Sequence, residues 1–497
     1  MIEGGATGTA ERPAGGGAAG GARVAAFGMV LGATLALSAC GEAPVTPDLT
    51  GEMPKTWTAG TDAGTEVGSD WVRGFGSREL ERLVALADVD NLDIAQASAR
   101  VAQAEAELAA RRADLAPSVD GSGSVSRAVT PGTRSSFSPP FRATVSDSYQ
   151  LGLAGSWTLD VGGRLRALTA AQVATTQASR IERDAVRLST STAIVDAWLR
   201  VGAARERIRI ARESVATAER TLAIYKRRIE VGTATALDLA QQESLVASQR
   251  AAVPDLEIEA RQTRNALVIL TGRSPEALDV KTGGVSGVRV PTISAGIPSR
   301  LLTRRPDVAS AEATLEAQSA NVEAARAAFL PEITLTGSTG LASAFLKNLL
   351  RPDAIAAQAA AGLTAPIFDA GARQASLDQA RARHEELVAA YRSTVHQALG
   401  DVENALIAVE QNRRHEVLQR AVVTAARRAQ KLTEERLSEG TIDVTTVLEA
   451  ERTLFSAEQA LVSVRLARLR AVVSLAGALG GGWIKERPQV AAKDATP

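Results

Sequence analysis

Two hydrophobic periods divide this chain. Over residues 149–160, Tyr149, Leu151, Leu153, Trp157 and Leu159 alternate with Gln150, Gly152, Ala154, Ser156 and Thr158. Over 332–341, Ile333, Leu335 and Leu341 alternate with Glu332, Thr334, Thr336 and Ser338. A period of two puts each set on one face of a strand. Gly- and Ser-rich stretches at 119–127 and 363–368 read as weaker strands. Elsewhere the pattern is helical over long distances. Proline is absent from 141–253 and from 367–487, so nothing forces a break there. One helix is predicted from about Gly163 to Val231 and another from Ala372 to Glu439, each ~100 Å long. Shorter helices are predicted at 235–271 and 443–478, ~55 Å each, and at 89–116 and 300–330, ~45 Å each. Two short helices stacked end to end would match one long one. Pro254 lies inside a short helix, where a kink is expected.

The elements come in two sets. D-I-A-Q-A at Asp93 precedes Pro117 by 24 residues, and D-V-A-S-A at Asp307 precedes Pro331 by the same 24. Asp160-Val161-Gly162-Gly163-Arg164 matches Asp369-Ala370-Gly371-Ala372-Arg373 at an offset of 209. Gly232-Thr233 with Glu243 downstream matches Gly440-Thr441 with Glu451 at an offset of 208. Three landmarks in one order at nearly one offset mark a tandem duplication. Each half reads helix, strand, strand, long helix, tight turn, helix. Gly and Pro collect near the join, at Pro275, Gly283, Gly284, Pro291 and Pro298.

The alternating stretches have the ~9–11 residues that a tilted membrane strand needs. A membrane sheet leaves no open edge in lipid, and four strands cannot close a barrel. If the strands lie in the membrane, two chains supply eight and three supply twelve. The helices alone would also suit a soluble coiled-coil scaffold, which leaves the strand pairs and the duplication without a reason.

Composition sharpens this picture. Aromatic residues make up 3% of 497 residues although 45% are hydrophobic, so small apolar residues, chiefly Ala, must line close helix contacts instead of filling a thick core. With 56 basic and 56 acidic residues the net charge is zero, which gives no electrostatic reason to bind nucleic acid. His384, His396 and His415 share no i,i+4 spacing, and no catalytic triad, phosphate loop or paired catalytic carboxylates stand out, so no enzyme activity, cofactor or metal is expected. The apolar run Val24–Leu37 is too short to span a bilayer and fits a secretory signal. It ends in Leu37-Ser38-Ala39 before Cys40, the one cysteine, which resembles the bacterial lipoprotein processing box. That resemblance implies cleavage before Cys40 and lipid on Cys40. Gly41, in place of Asp, implies the outer membrane. The Gly-Thr pairs, Gly232-Thr233 and Gly440-Thr441, are expected to close two helical hairpins, Gly as a C-terminal cap and Thr, or Asp443, capping the returning helix.

Ile297-Pro298-Ser299-Arg300-Leu301-Leu302-Thr303-Arg304-Arg305-Pro306-Asp307-Val308, with Ala311-Glu312, is similar to a P-S-x-L-L-x-R-R-P-D-I-x-x-A-E signature. With Ile367-Phe368-Asp369-Ala370-Gly371, Glu451-Arg452-Thr453-Leu454-Phe455 and Leu479-Gly480-Gly481-Gly482-Trp483, the chain resembles the outer-membrane efflux proteins of TolC type, in particular the NodT-like lipoprotein subgroup. The resemblance implies a mainly α fold with a small transmembrane β part. Duplicated helical hairpins would form a periplasmic α-barrel. Four strands per chain would contribute to a homotrimeric twelve-stranded barrel in the outer membrane of a Gram-negative bacterium. On this reading 1–39 is a signal peptide, 40–76 a lipidated linker, 77–272 and 300–485 the two repeats, 273–299 their join and 486–497 a tail. The implied function is a passive exit duct of a tripartite drug-efflux pump, with a protein-secretion (type I) duct as the alternative. The implied partners are a periplasmic adaptor, meeting the tips at Gly232, Thr233, Gly440 and Thr441, and an inner-membrane transporter of RND type. Thr445 and Glu449 match positions that narrow the periplasmic entrance, with Asp238 and Glu243 as weaker candidates. Thr445 departs from the Leu-like residue usual there. Three copies of Glu449 would form an acidic ring, attracting cations; an ordinary solvated Glu is the plainer reading.

Overall fold

The computed structural model describes residues 53–59, 65–131, 143–439 and 441–485. Leu37, Ser38, Ala39, Cys40 and Gly440 lie outside the described residues. Each half carries the element order read from the sequence. The first half has α1 (Arg78–Asp90), α2 (Leu92–Ala113), β1 (Ser118–Thr130), β2 (Thr144–Leu159), α3 (Arg164–Glu230) and α4 (Ala236–Leu270). The second half has α5 (Pro306–Ala327), β3 (Glu332–Ser343), β4 (Ile355–Thr364), α6 (Ala372–Glu439) and α7 (Val444–Ala478).

The long helices α3 and α6 have 67 and 68 residues, ~100 Å each. Helix α4 runs through Pro254 without ending. Two expected helices are divided in the structure. The region predicted as 89–116 holds the end of α1 and all of α2, because Asn91 leaves the helix with ψ 130° and caps the next one. The region 300–330 holds a single turn, Leu301–Arg304, and then α5, because Pro306 starts a new helix at its first position. The strand expected at 363–368 lies at Ile355–Thr364. Pro366 cannot donate to a sheet ladder, and the Ala-rich run before it pairs instead.

The short helices meet end to end, and this sets the architecture. Asn91, the N-cap of α2, accepts from the backbone N–H groups of Asp93 and Ile94 at 2.9 and 3.0 Å. The same side chain donates to the Leu270 carbonyl at the end of α4, at 2.8 Å. One amide thus satisfies an orphan acceptor of one helix and orphan donors of the next. The second repeat makes its splice with two residues: Asp307 accepts from the Val308 N–H at 2.9 Å at the start of α5, and its ion-pair partner Arg305 reaches the preceding rod. Arg305 precedes α5 and donates to the Ala478 carbonyl at the end of α7, at 3.1 Å. A glycine in the left-handed conformation lies at each junction, Gly272 (φ 79°) and Gly480 (φ 85°). A Cβ at Gly272 would overlap the Asp90 carbonyl oxygen, and one at Gly480 that of Arg304. Each long helix therefore lies beside a rod assembled from two short ones.

The largest apolar core surrounds these splices at the middle of the long helices. It includes Phe75, Leu80 and Leu83, Ile194, Leu199, Leu267, Leu469 and Leu475. The connection between the repeats is strapped to it by charged side chains. Arg205 donates to the carbonyls of Val280 and Thr282 at 2.7 and 2.9 Å, and Arg465 to that of Val288 at 2.7 Å. Described residues of the 40–76 segment, among them Val67, Trp71 and Phe75, belong to the same core.

The splice geometry predicts that Gly480→Ala lowers the thermal unfolding midpoint more than Gly232→Ala. Both carry about 1–3 kcal/mol of backbone strain. Only the first drives a methyl into a carbonyl of the abutting helix, since nothing lies within 4 Å of a Cβ at Gly232. Equal shifts in a melt of the detergent-extracted protein would count against the splice as a close-packed joint.

Candidate functional site

Three features placed along the long helices bear on function: the sheet, the elbows beneath it and the hairpin tips. The sheet is antiparallel in the order β1-β2-β3-β4. Its register sorts the side chains cleanly. Val125 faces Tyr149, Leu151 faces Leu341, Trp157 faces Leu335, and Ile333 faces Leu363. The other face carries Ser118 with Ser156 and Thr336, Gln150 with Ala342, Thr158 with Thr334, and Ser338 with Gln358. One face is thus apolar and exposed; Leu151, Leu153, Ile355 and Leu363 are 52%, 54%, 63% and 69% accessible. An apolar face of this extent needs a lipid neighbour or a protein one. Tyr149 and Trp157 stand on it about 27 Å apart along the strand, or about 20 Å in height at a ~40° tilt, close to the ~25 Å band between aromatic girdles of outer-membrane barrels. Both outer strands, β1 and β4, have one edge without a partner among the described residues.

Each return from sheet to helix is held by an aspartate, with different backbone partners in the two repeats. Asp160 accepts from the backbone N–H groups of Leu165 and Arg166, each at 2.9 Å. Asp369 accepts from Gly371 and Arg373 at 3.0 and 3.1 Å. Each carboxylate sits at the positive end of a ~100 Å helix and fixes where that helix leaves the sheet. The repeated Asp-x-Gly-Gly/Ala-Arg pattern is used differently in the two halves: Arg373 pairs with Asp369 at 2.8 Å, whereas Asp160 pairs with Arg166 at 3.1 Å.

At the opposite end the first hairpin closes at Gly232 as expected, with a correction to the role of both threonines. Gly232 has φ 76°; its N–H bonds to the Ile229 carbonyl at 2.9 Å, and the Thr233 N–H to that of Arg228 at 2.8 Å. This paired pattern is a Schellman end. The Thr441 N–H reaches the Arg436 carbonyl at 3.1 Å in the same way. Thr233 and Thr441 therefore complete the outgoing helices and do not cap the returning ones; the hydroxyl of each also points back, to Arg228 and Arg436. Thr235 caps α4, in a reciprocal box with Asp238, whose carboxylate accepts from the Thr235 N–H and hydroxyl at 2.8 Å each. The Thr-x-x-Asp spacing was the available signal for it. Asp443 does cap α7, accepting from the Thr446 N–H at 2.8 Å. Hydroxyls of Thr445 and Thr446 hold its carboxyl below the usual carboxylate range.

Thr445 and Glu449 are exposed and line a shallow groove between α6 and α7 with Ala426, Ala429, Thr433 and Thr453. Asp238 is held in its capping box on the other hairpin, and Glu243 is exposed on α4. The hairpins themselves are joined near the tip by Tyr225, Leu245, Val246, Leu437, Val444, Val447 and Leu448. Among the described residues no group of acidic, His or Cys side chains could hold a metal ion.

The outer membrane efflux protein family model matches residues 83–273 and 297–481, the two repeats, each closed by its own splice. The chain belongs to the outer membrane efflux protein family. It is 36% identical over 472 residues to the pyoverdine export outer membrane protein OpmQ of Pseudomonas aeruginosa, covering 94% of this chain and 98% of that one. It is 34% identical over 474 residues to outer membrane protein OprJ of the same organism, covering 94% and 98%. Among solved structures it superposes on the outer-membrane channel OprN with a TM-score of 0.81 and 27% identity, covering 88% of this chain and 98% of that one. The open-state MtrE outer membrane channel of Neisseria gonorrhoeae gives 0.78 and 31%, covering 87% and 96%. The protein is an outer-membrane efflux channel whose helical part extends into the periplasm. Family membership accounts for the apolar sheet face as a lipid face and makes the opposite, hydroxyl-rich face the wall of the conduit.

A charge on the lipid face should therefore be costly and one on the wall tolerated. Leu153→Arg, midway between Tyr149 and Trp157, is expected to lose about 2–4 kcal/mol and to deplete the protein from outer-membrane fractions. The opposite-face change Gln150→Arg should leave the membrane level near wild type, as read by quantitative immunoblot.

Proposed function

We propose that three copies of this chain close one twelve-stranded barrel, β4 of each pairing with β1 of the next, and form the passive exit duct of a tripartite pump. The observation that carries this is the four-stranded sheet with one apolar face and two edges without a partner among the described residues, borne on ~100 Å helices. A sheet in lipid must close, and head-to-tail pairing of unlike edges, repeated by rotation, gives a ring. Three copies rest on the resemblance to TolC-type channels. The tips, with Thr233, Thr441 and their caps, receive a periplasmic adaptor, and an inner-membrane transporter supplies the energy. The cargo is a small organic molecule. Similarity over nearly the whole chain to OpmQ, named for pyoverdine export, supports this more than it supports a duct for secreted proteins.

Deleting the gene should increase susceptibility to dyes, detergents or antibiotics in a dilution assay, with complementation restoring it. Unchanged susceptibility together with lost export of a protein would overturn the small-molecule reading. In the same trimer three exposed Glu449 side chains form a ring at the tip that favours cations. Glu449→Gln is expected to lower the cation preference in single-channel recordings across a salt gradient; unaltered selectivity would leave Glu449 as a solvated surface residue.

A further inference from the structure

Two buried glutamates in this chain have opposite surroundings. Glu416 is 1% exposed and accepts from Arg420, Arg465 and Arg468 at 2.7, 3.0 and 2.7 Å. Burial alone would raise its pKa, but these guanidinium groups hold the carboxyl down to about 2. It is a permanent anion that pins α6 to α7. Glu451 is 5% exposed and has no such partner. It lies on α7 at the next step of the buried stripe Val444, Val447, Leu448, facing the seam between the two hairpins near the tip.

The seam leaves several polar atoms without partners. One Glu451 oxygen, Oε1, accepts from the Thr221 hydroxyl of α3 at 2.7 Å. The other, Oε2, has no partner. Gln242 of α4, fully buried, donates to the Ala218 carbonyl at 3.0 Å, but its own Oε1 is also unpaired. The Tyr225 hydroxyl of α3, in the same seam, has no partner either. A buried acceptor without a donor costs about 1–3 kcal/mol, and more when charged. A proton on Glu451 removes the charge and adds a donor to a seam that holds the unpaired Gln242 Oε1. The charged groups around it are Arg220 and Arg228 on α3, Asp238 on α4, Glu434 on α6 and Asp443 on α7, each acting on Glu451 or on Tyr225 beside it. Burial is the largest influence on Glu451 and raises it; Thr221 and Gln242 oppose that, Glu434 adds to it and Arg220 opposes it, with a net upward shift. Glu243, its counterpart in the first repeat, is exposed, so the device exists once per chain.

We propose that Glu451 is a proton-operated latch between the two hairpins: neutral, it holds the tip together, and ionised, it favours their separation. Separation hydrates the carboxyl and returns it to its ordinary range. The joined state binds the proton more tightly, so its advantage is complete below the ordinary carboxylate pKa of ~4.3. It declines as pH rises from there through the raised value, and beyond that it is lost. The latch rests on the tip being the periplasmic end of the duct; its chemistry does not require that the duct conduct.

The test uses the full-length protein purified in detergent, with spin labels at Leu237→Cys and Arg452→Cys, exposed on α4 and α7, in a Cys40→Ser background. The distance between labels within a protomer is measured at about pH 5 and about pH 8. The expected result is a shift to longer distances at the higher pH, abolished by Glu451→Gln, which stays at the shorter distance. Glu451→Met, neutral and of similar volume, should behave alike and guards against a folding defect in the first variant. Equal wild-type distances at both pH values, or a pH response that survives in both variants, overturns the latch. Conductance of the same preparations in planar bilayers reads the duct separately: a pH-dependent distance without any conductance would remove the duct and keep the latch.

Discussion

The structure depends on the end-to-end meeting of short helices from distant parts of the chain. A helix end leaves unsatisfied carbonyls and a helix start leaves unsatisfied N–H groups. Bringing one against the other in a protein interior is favourable only if a side chain bridges the gap. In the first repeat an Asn does so between Leu270 and α2. In the second the work is divided: Arg305 donates to the Ala478 carbonyl, Asp307, paired with it at 2.6 Å, accepts from the Val308 N–H of α5, and Arg305 also reaches Asp401 at 3.1 Å. Burial would lower the pKa of Arg305, but these carboxylates raise it, which keeps the charge in place. The Arg-Arg-Pro-Asp segment is therefore a joint. Arg305 bridges, Pro306 starts the helix, and Asp307 neutralises the bridge, while Arg304 binds Glu66 at 2.8 Å and draws the preceding segment onto the core.

Much of this was legible in the sequence, for reasons that can be named. The long helices were visible because proline is absent over long windows, and β2 and β3 because their period of two is strong. Strand β4 was not, because Ile355–Thr364 is mostly Ala. Its small side chains carry little hydrophobic contrast, and the stronger Leu-Thr-Ala-Pro-Ile-Phe stretch drew the reading eight residues along. At the tips, Gly232 was readable from its type and place, but the division of labour between Thr233 and Thr235 depends on which of two hydroxyls lies past the helix end. Position 451 was counted as a repeat landmark. Its burial was implicit in the Val444, Val447, Leu448 stripe and was masked by its charge. The apolar period and the residue type disagreed there, and such disagreement is where functional constraint tends to show.

The low aromatic content follows from the same construction. A wall one helix thick has no deep interior, so close approach matters more than side-chain volume. Ala178, Ala309 and Ala313 pack with Ile181 between α3 and α5, and Ala426 and Ala457 with Val423 between α6 and α7. Large buried side chains gather at the middle of the long helices, where the inter-repeat connection adds a second layer.

The two kinds of rod also differ mechanically. Helices α3 and α6 are covalently continuous from the sheet to the tip, whereas the rods beside them are interrupted at Gly272 and Gly480. A bending load on a continuous helix is spread over many backbone hydrogen bonds. On a spliced rod it falls on one amide or one guanidinium and on the packing around it. Compliance is thus concentrated in a single band at the level of the main core. Below that band the hairpins can pivot as stiff levers, and above it the elbows and the sheet need not move.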